Sequence, residues 1–538
     1  MPAKAPKSAR HLEVERKFDV VESTVSPSFE GIAAVARVET PPTQELDAVY
    51  FDTPSQDLAR NRITLRRRTG GSDAGWHLKL PAGPDSRNEI HAPLDASDGA
   101  DSVPSELLDV VLAIVRDRPV EPVARITTRR ETKVLYDGDG AELAEFCNDH
   151  VTAWSAGDSD GPDSGPADQQ WREWELELSE PEGETSESAR HELLNRLSNR
   201  LLDAGAAPAG HGSKLARVLD SAHSSTGQPA RPPLPDDPIH RAVAQQVEEM
   251  LVWDRAVRDD VYDSVHQLRV ITRKIRSLLK DSHDSFGLAD GAWVLDELRE
   301  LAGVLGVARD AEVLAERYER ELTRLDAALI RGPVWERLVN GARRRYQTGH
   351  RRSLAAMRSK RYFRLLDSLE AMVAERPVTI VGEEPKSVTI DAAYRRVRKA
   401  AKAAARAEAA AASKAEADTD TDTDEAIGEV TADLQDPDEA LHRIRKRAKQ
   451  LRYTAAATGA NQVSQQAKAI QTLLGDHQDS VVSREHLLAE AQAAHLAGED
   501  TFTYGLLYQV ESQVAESSRD QLHSALSKLD KAVRDTRR

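Results

Sequence analysis

At 538 residues the chain exceeds one ordinary core and, at roughly 100 to 200 residues per domain, is expected to hold two. A composition 40% apolar and 30% charged excludes disorder throughout, and a single cysteine, Cys147, excludes a disulfide framework or a cysteine-rich metal site. The formal net charge of -17 excludes a general attraction for polyanions, so any anion site must be local.

The basic N-terminal stretch MPAKAPKSAR is not followed by an apolar run, and nothing approaches the roughly 20 apolar residues of a membrane span. No membrane partner is expected, and the cytoplasm is the expected compartment. The first patterned stretch is HLEVERKF, from His11 to Phe18. In a strand, Glu13, Glu15 and Lys17 share one face, and Leu12, Val14, Arg16 and Phe18 share the other. Similar short alternating stretches follow to about residue 220, separated by Gly, Asp and Pro, with turns expected at Gly70-Gly71 and from Asp137 to Gly140. Charge recurs on their faces: Arg66 with Arg68, and Glu173 with Glu175 and Glu177, while Lys79, Arg130 and Asp149 add single charges. A flat sheet could not bury so many charges unpaired, since each costs several kcal/mol to desolvate. Curling into a closed barrel solves this by turning the charged faces into a lumen and the apolar faces outward under helices. Acids opposed to Arg and Lys suit a polyphosphate chelated by Mg²⁺ (or Mn²⁺): carboxylates hold the hard cation, guanidinium and ammonium groups the phosphates.

A helix is expected over Ser188 to Ala204, and a flexible loop near 157–169. The Ser-, Gly- and Pro-rich residues 221–238 read as a linker. From Ile239 onward helical spacing dominates, interrupted by an acidic insert near 408–430 that is expected to be disordered. This half contains a repeat. His266, Arg269, Arg273 and Arg276 recur 176 residues later as His442, Arg445, Lys449 and Arg452, since 266 + 176 = 442. Each set forms one stripe of a helix beside an apolar stripe: Leu268, Thr272, Ile275 and Leu279 in the first copy, Ile444, Ala448, Leu451 and Ala455 in the second. Four like charges on one stripe repel, and a polyanion relieves the repulsion. The histidines lack a partner at ligand spacing, so a phosphate contact or a backbone hydrogen bond is expected of them and not metal ligation. A second motif pair, LAGVLGVARD from Leu301 and IQTLLGDHQD from Ile470, supports a duplicated helical unit, although Gln478 stands where the first copy has Arg309. The basic run RRRYQTGHRR, 343–352, reads as a solvated helix that could extend the basic surface.

The ordered series Glu13-x-Glu15-x-Lys17, YFDT at Tyr50 to Thr53, LRRR at Leu65 to Arg68, HLKL around Lys79, the triple-Glu strand ending at Glu177, and GSKLARVL containing Lys214 resembles the CYTH family of triphosphate tunnel enzymes over residues 9–220. The motifs VHQLRV, LGVARD, LHRIRKRAKQLRY and LGDHQD resemble the CHAD family, helical domains that bind inorganic polyphosphate, over 239–535. The first resemblance implies an eight-stranded antiparallel tunnel; the second implies an all-α domain of two four-helix units, making the whole an α+β chain of two domains. It further implies a metal-dependent hydrolase of inorganic tripolyphosphate or polyphosphate. Glu13, Glu15, Asp149, Glu175 and Glu177 would hold Mg²⁺ (or Mn²⁺), and Arg66, Arg68, Lys79, Arg130 and Lys214 would bind phosphate. Lys17 would act in catalysis beside Glu13 and Glu15, near the attacking water. Arg125 and Lys133 are alternatives to Arg130. Polyphosphate would bind His266, Arg269, Arg273 and Arg276 with His442, Arg445, Lys449 and Arg452, which would be compatible with association with polyphosphate granules. A non-catalytic docking protein and a cyclase acting on ATP would use the same residues. Nucleic acid is disfavoured by the acidic chain and by basic stripes without interleaved aromatics. Nothing in the sequence sets an oligomeric state.

Overall fold

The computed structural model describes residues 9–96, 99, 102–155, 169–180, 186–226, 238–281, 286–288, 292–374, 390–418 and 437–537. The loop expected near 157–169 therefore lies almost wholly outside the described residues, as do 227–237 of the expected linker and most of the acidic insert. Alternation along the first third produces strands β1 (Ala9–Val20), β2 (Arg37–Glu39), β3 (Gln44–Asp52), β4 (Thr64–Thr69), β5 (Gly75–Pro81), β6 (Ser86–Ala92), β7 (Glu121–Tyr136), β8 (Glu142–Ser155), β9 (Gln169–Leu178) and β10 (Ala207–Pro208). Hydrogen bonding runs β1-β6-β5-β4-β3-β7-β8-β9, and β9 pairs back onto β1, so eight antiparallel strands close into a ring. The short β2 and β10 lie outside it, on β7 and β1. Closure leaves no edge strand among the eight. Gly70, at φ +80°, makes the β3–β4 approach possible: a Cβ there would stand 2.1 Å from the Glu45 carbonyl oxygen.

The outer apolar faces are covered by helices. Leu65, Trp76, Leu78 and Ile90 pack under α2 (Ser105–Val115), with α1 (Asp57–Arg60) beside it. Phe18, Phe146, Trp174 and Leu176 pack under Leu194, Leu197 and Leu201 of α3 (Glu187–Asp203), the helix expected at 188–204. Helix α4 (Lys214–Thr226) does something else: its Leu215, Val218 and Leu219 meet Ala48, Tyr50, Ala124, Ile126 and Val151, which share the inward face, so α4 plugs one end of the barrel. It continues through Thr226, six residues into the stretch expected to be linker.

The remaining elements are helices: α5 (Pro238–Arg258), α6 (Ser264–Asp281), α7 (Trp293–Arg324), α8 (Gly341–Met357), α9 (Lys360–Ala374), α10 (Ile390–Asp418), α11 (Pro437–Ala457), α12 (Asn461–Leu496) and α13 (Phe502–Thr536). None among the described residues is long and apolar enough to cross a membrane. The chain forms two compact units, 1–305 with 351–378 and 306–350 with 379–538. In the first, Arg258 of α5 and Arg358 both donate to Asp109 of α2, at 3.3 and 2.8 Å, and Arg258 also clamps Asp254, which accepts from Tyr362 at 2.8 Å. In the second, α10 to α13 pack through Val397, Leu441, Ile444, Leu451, Ile470 and Leu529.

Candidate active site

Strand alternation sets which side chains enter the barrel, and register sets which of them meet. Glu15 on β1 stands opposite Glu177 on β9, which stands opposite Glu145 on β8; Lys17 stands opposite Glu175, and Glu175 opposite Cys147. Arg130 on β7 faces Asp149 on β8, and Asp149 faces Glu173 on β9. Across the ring, Arg66 and Arg68 on β4 pair with Tyr50 and Ala48 on β3, Arg66 also with His77 on β5, and Lys79 with Glu89 on β6. Cross-strand partners share a face. The acids of β1, β8 and β9 thus form one wall and the β4 arginines stand on another.

Charge pairing inside is dense. Lys17 Nζ donates to Glu15 at 2.7 Å and to Glu175. Burial alone would neutralise these groups, but Lys17 and Lys79 outweigh it and hold the Glu15 carboxyl down to about 2, while Glu15 and Glu175 hold the Lys17 ammonium above its usual range. Arg130 grips Asp149 through Nε at 2.8 Å and a terminal nitrogen at 2.6 Å, and reaches Glu175. Lys214, the first residue of the plug helix, places Nζ 2.9 Å from Asp149, 2.8 Å from Glu173 and 2.7 Å from Glu175. Lys79 Nζ lies 2.6 Å from Glu13.

Among the described residues, two imbalances bear on anion and cation binding. The Nε atoms of Arg66 and Arg68 are buried without a hydrogen-bond partner. Burial, with Arg66 and Arg130 nearby, pulls the Arg68 guanidinium down to about 9. Buried donors without acceptors are costly, and an anion between them removes the cost. On the acid wall, burial and repulsion from Glu13, Glu15 and Glu175 outweigh Lys79 and raise Glu177 to about 7. That is a carboxyl short of positive charge. Among the described residues, two sets of ligand atoms lie within 4.8 Å of one another: His11, Glu13 and Glu89, and Asp149, Glu173 and Glu175. Such oxygen-dominated sets fit a hard divalent cation. The buried Cys147 thiol, raised to about 12 by burial, is no nucleophile.

In the helical region both expected core stripes are buried: Leu268, Thr272, Ile275 and Leu279 on α6, and Ile444, Ala448, Leu451 and Ala455 on α11. This leaves the basic stripes at or near the surface, with His442 and Arg273 exposed. Arg269 and Arg276 donate through Nε to the carbonyls of Ala302 and Leu295, both at 3.2 Å, and Arg445 lies against Gly475, whose missing Cβ would be 3.3 Å from its guanidinium. The glycine of the second LG motif thus gives a stripe arginine room.

The CYTH domain family matches residues 11–205 and the CHAD domain family residues 241–488. This is a CYTH–CHAD protein. The order of its domains is the one expected from the motifs, and the CYTH match spans the strands that close the tunnel. The CYTH–CHAD chain is 68% identical to "Uncharacterized protein Rv2226" of Mycobacterium tuberculosis, with 100% of both chains covered. It resembles the solved CHAD domain of the plant Ricinus communis at 22% identity and a TM-score of 0.36, covering 54% of this chain and 90% of that one. PptA from Streptomyces chartreusis gives 20% identity and a TM-score of 0.37, covering 55% and 100%. HpAC1 from Hippeastrum, described as having a dominant triphosphatase activity, gives 16% and 0.24, covering 39% and 95%.

In this CYTH–CHAD protein the structure brings Glu13, Glu15, Lys17, Arg66, Arg68, Lys79, Arg130, Asp149, Glu175, Glu177 and Lys214 into one lumen. It separates the alternatives to Arg130: Arg125 pairs outside with Asp47 at 2.6 Å, and Lys133 donates to the Pro27 carbonyl at 2.9 Å. Their odd spacing from Arg130 carried that signal, because they must lie on the opposite face. Glu173, Glu89 and His11 enter the two ligand groups although the expected metal set did not include them. Strand alternation in RNEIHA puts Arg87, Glu89 and His91 on one face, yet which face looks inward depends on closure. In the basic run, Arg343, Arg344 and Arg345 reach Glu319, Glu336 and Glu490.

Proposed function

We propose that the CYTH tunnel hydrolyses phosphoanhydride bonds of inorganic tripolyphosphate or polyphosphate with Mg²⁺ (or Mn²⁺), and that the CHAD helices bind polyphosphate. The observation that carries this reading is the opposition of the acid wall to Arg66 and Arg68, whose buried Nε atoms lack partners. Glu13, Glu15, Asp149, Glu175 and Glu177, joined by Glu173, would hold the cation, which when bound neutralises phosphate charge and polarises the scissile bond. Arg66 and Arg68 would bind the phosphates, with Lys79, Arg130 and Lys214 exchanging their carboxylate partners for phosphate oxygens as the cation takes over the acids. Lys17 stays protonated between Glu15 and Glu175, so its role is to orient water and offset developing charge, not to accept a proton. The basic stripe led by His266 and that led by His442 would each bind polyanion, and tethering them to the tunnel raises local substrate concentration.

The test is a substrate panel on the full chain: tripolyphosphate, long polyphosphate, ATP and thiamine triphosphate, with Mg²⁺ and with Mn²⁺. Phosphate release from the inorganic substrates is expected to dominate. Cyclic nucleotide from ATP would instead favour the cyclase reading, and binding without turnover the docking reading.

A further inference from the structure

Of the two ligand groups, the set formed by His11, Glu13 and Glu89 differs from that of Asp149, Glu173 and Glu175 in containing an imidazole. His11 lies near the start of β1, whereas α4 reaches the other end of that strand through the Arg217–Asp19 contact at 2.9 Å. The histidine is half-buried and Glu13 and Glu89 are buried. His11 Nε2 stands 3.5 Å from Glu13 Oε1 and 3.2 Å from Glu89 Oε2. Two ligands each about 2.1 Å from one ion lie roughly 3.0 Å apart at a right angle and roughly 3.4 Å apart at a tetrahedral one. The spacing therefore matches ligands of a common ion.

The carboxylate oxygens divide accordingly. Glu13 Oε2 is the oxygen turned to Lys79, at 2.6 Å, and Glu89 Oε1 the one turned to His77 Nδ1, at 2.8 Å, and to Lys79, at 3.9 Å. The opposite oxygens, Glu13 Oε1 and Glu89 Oε2, face His11. Inner groups thus fix both carboxylates while presenting one oxygen of each to the imidazole. His77 is itself held, with Nε2 3.0 Å from the Asp73 carbonyl, so Glu89 has the kind of outer support that orients metal ligands.

We propose that His11, Glu13 and Glu89 form a divalent-cation site in which the imidazole nitrogen favours a first-row transition ion such as Mn²⁺ over Mg²⁺. Mg²⁺ takes oxygen ligands and gives up water reluctantly, whereas the first-row transition ions, of which Mn²⁺ binds nitrogen most weakly, accept an imidazole beside carboxylates. The inference rests on the acid wall receiving cations, as in the reading above, but not on hydrolysis.

The test uses the metal-free full-length protein and Mn²⁺ alone, followed by electron paramagnetic resonance with detection of nitrogen-14 coupling. Wild type is expected to show imidazole nitrogen on bound Mn²⁺. His11→Gln is expected to lose that coupling and to bind one Mn²⁺ at least about 10-fold more weakly, with Mg²⁺ affinity changed by less than about 2-fold. Glu89→Gln is expected to remove the same ion, and unchanged melting curves exclude unfolding as the cause. Coupling absent from wild type, coupling that persists in His11→Gln, or unaltered Mn²⁺ affinity in both variants overturns the proposal. Nitrogen-coordinated Mn²⁺ in a protein that releases no phosphate would sink the hydrolase reading alone. Hydrolysis without nitrogen coordination would sink only the present one.

Discussion

Replacing Lys214 with Met keeps most of the side-chain volume and removes one ammonium. That ammonium lies within 2.9 Å of Asp149, Glu173 and Glu175, and Lys214 is 8% exposed. Burial opposes its charge, but the three carboxylates outweigh burial and hold its pKa well above the ordinary lysine value. Without it, three buried acids share Arg130 and Lys17 as counter-charges. Breaking a buried ion pair by removing one partner costs about 3–5 kcal/mol. For a region of roughly 200 residues this lowers the melting temperature by on the order of 10 °C. The same three acids can hold a divalent ion, since their ligand atoms lie within 4.8 Å of one another. An ion at 100 times its dissociation constant returns about 2.7 kcal/mol. Lys214→Met should therefore melt well below wild type in chelator and recover most of the loss in millimolar Mg²⁺, with wild type responding less. Circular dichroism melts with and without chelator measure this. A variant that melts like wild type in chelator, or that gains no more than wild type from Mg²⁺, would refute the reasoning.

Glu13→Ala and Arg66→Ala are each expected to lower phosphate release from tripolyphosphate by about 100-fold or more, the scale of losing a preorganised charge contact in a dry site; undiminished release in both would remove the site assignment. Arg273→Ala with Lys449→Ala should weaken long-polyphosphate binding by the full chain and flatten its dependence on salt, because fewer counterions are released; an unchanged slope in a binding titration contradicts the stripe assignment. His486 accepts from Arg345 through Nε2 at 2.5 Å and meets the Tyr318 hydroxyl through Nδ1 at 2.9 Å, and burial, then Arg345, lower its pKa to about 4. The unfolded chain binds that proton more readily between the ordinary value of 6.5 and about 4, so the stabilisation is complete above pH 6.5 and fades as pH falls toward 4, by up to about 3 kcal/mol. Denaturant unfolding from pH 4 to 7, compared with His486→Gln, should show a flatter profile in the variant.

The alternation of HLEVERKF and the spacing of the helical stripes were legible because they are properties of the backbone. A strand turns its side chains by half a revolution per residue and a helix by 100°, so Glu13, Glu15 and Lys17 share a face wherever β1 goes, and Leu268, Thr272, Ile275 and Leu279 face a core in any helical packing. The same logic separates Arg130 from Arg125 and Lys133, yet it does not say which group looks inward. Glu89 and His11 were illegible as partners of Glu13, since that grouping depends on β6 lying beside β1 in one register.

The sequence by itself determined the two domain textures, the faces of the strands, the repeated basic helices and most of the charged groups of the lumen. Only the tertiary structure decided that β9 closes onto β1, that Lys214 enters the ring from the plug helix to meet three acids, and that Arg66 and Arg68 retain donors without acceptors. The physical reason is range: side-chain direction is fixed within a few residues, whereas an electrostatic site is assembled by hydrogen-bond register between strands more than 150 residues apart, such as Lys17 and Glu175.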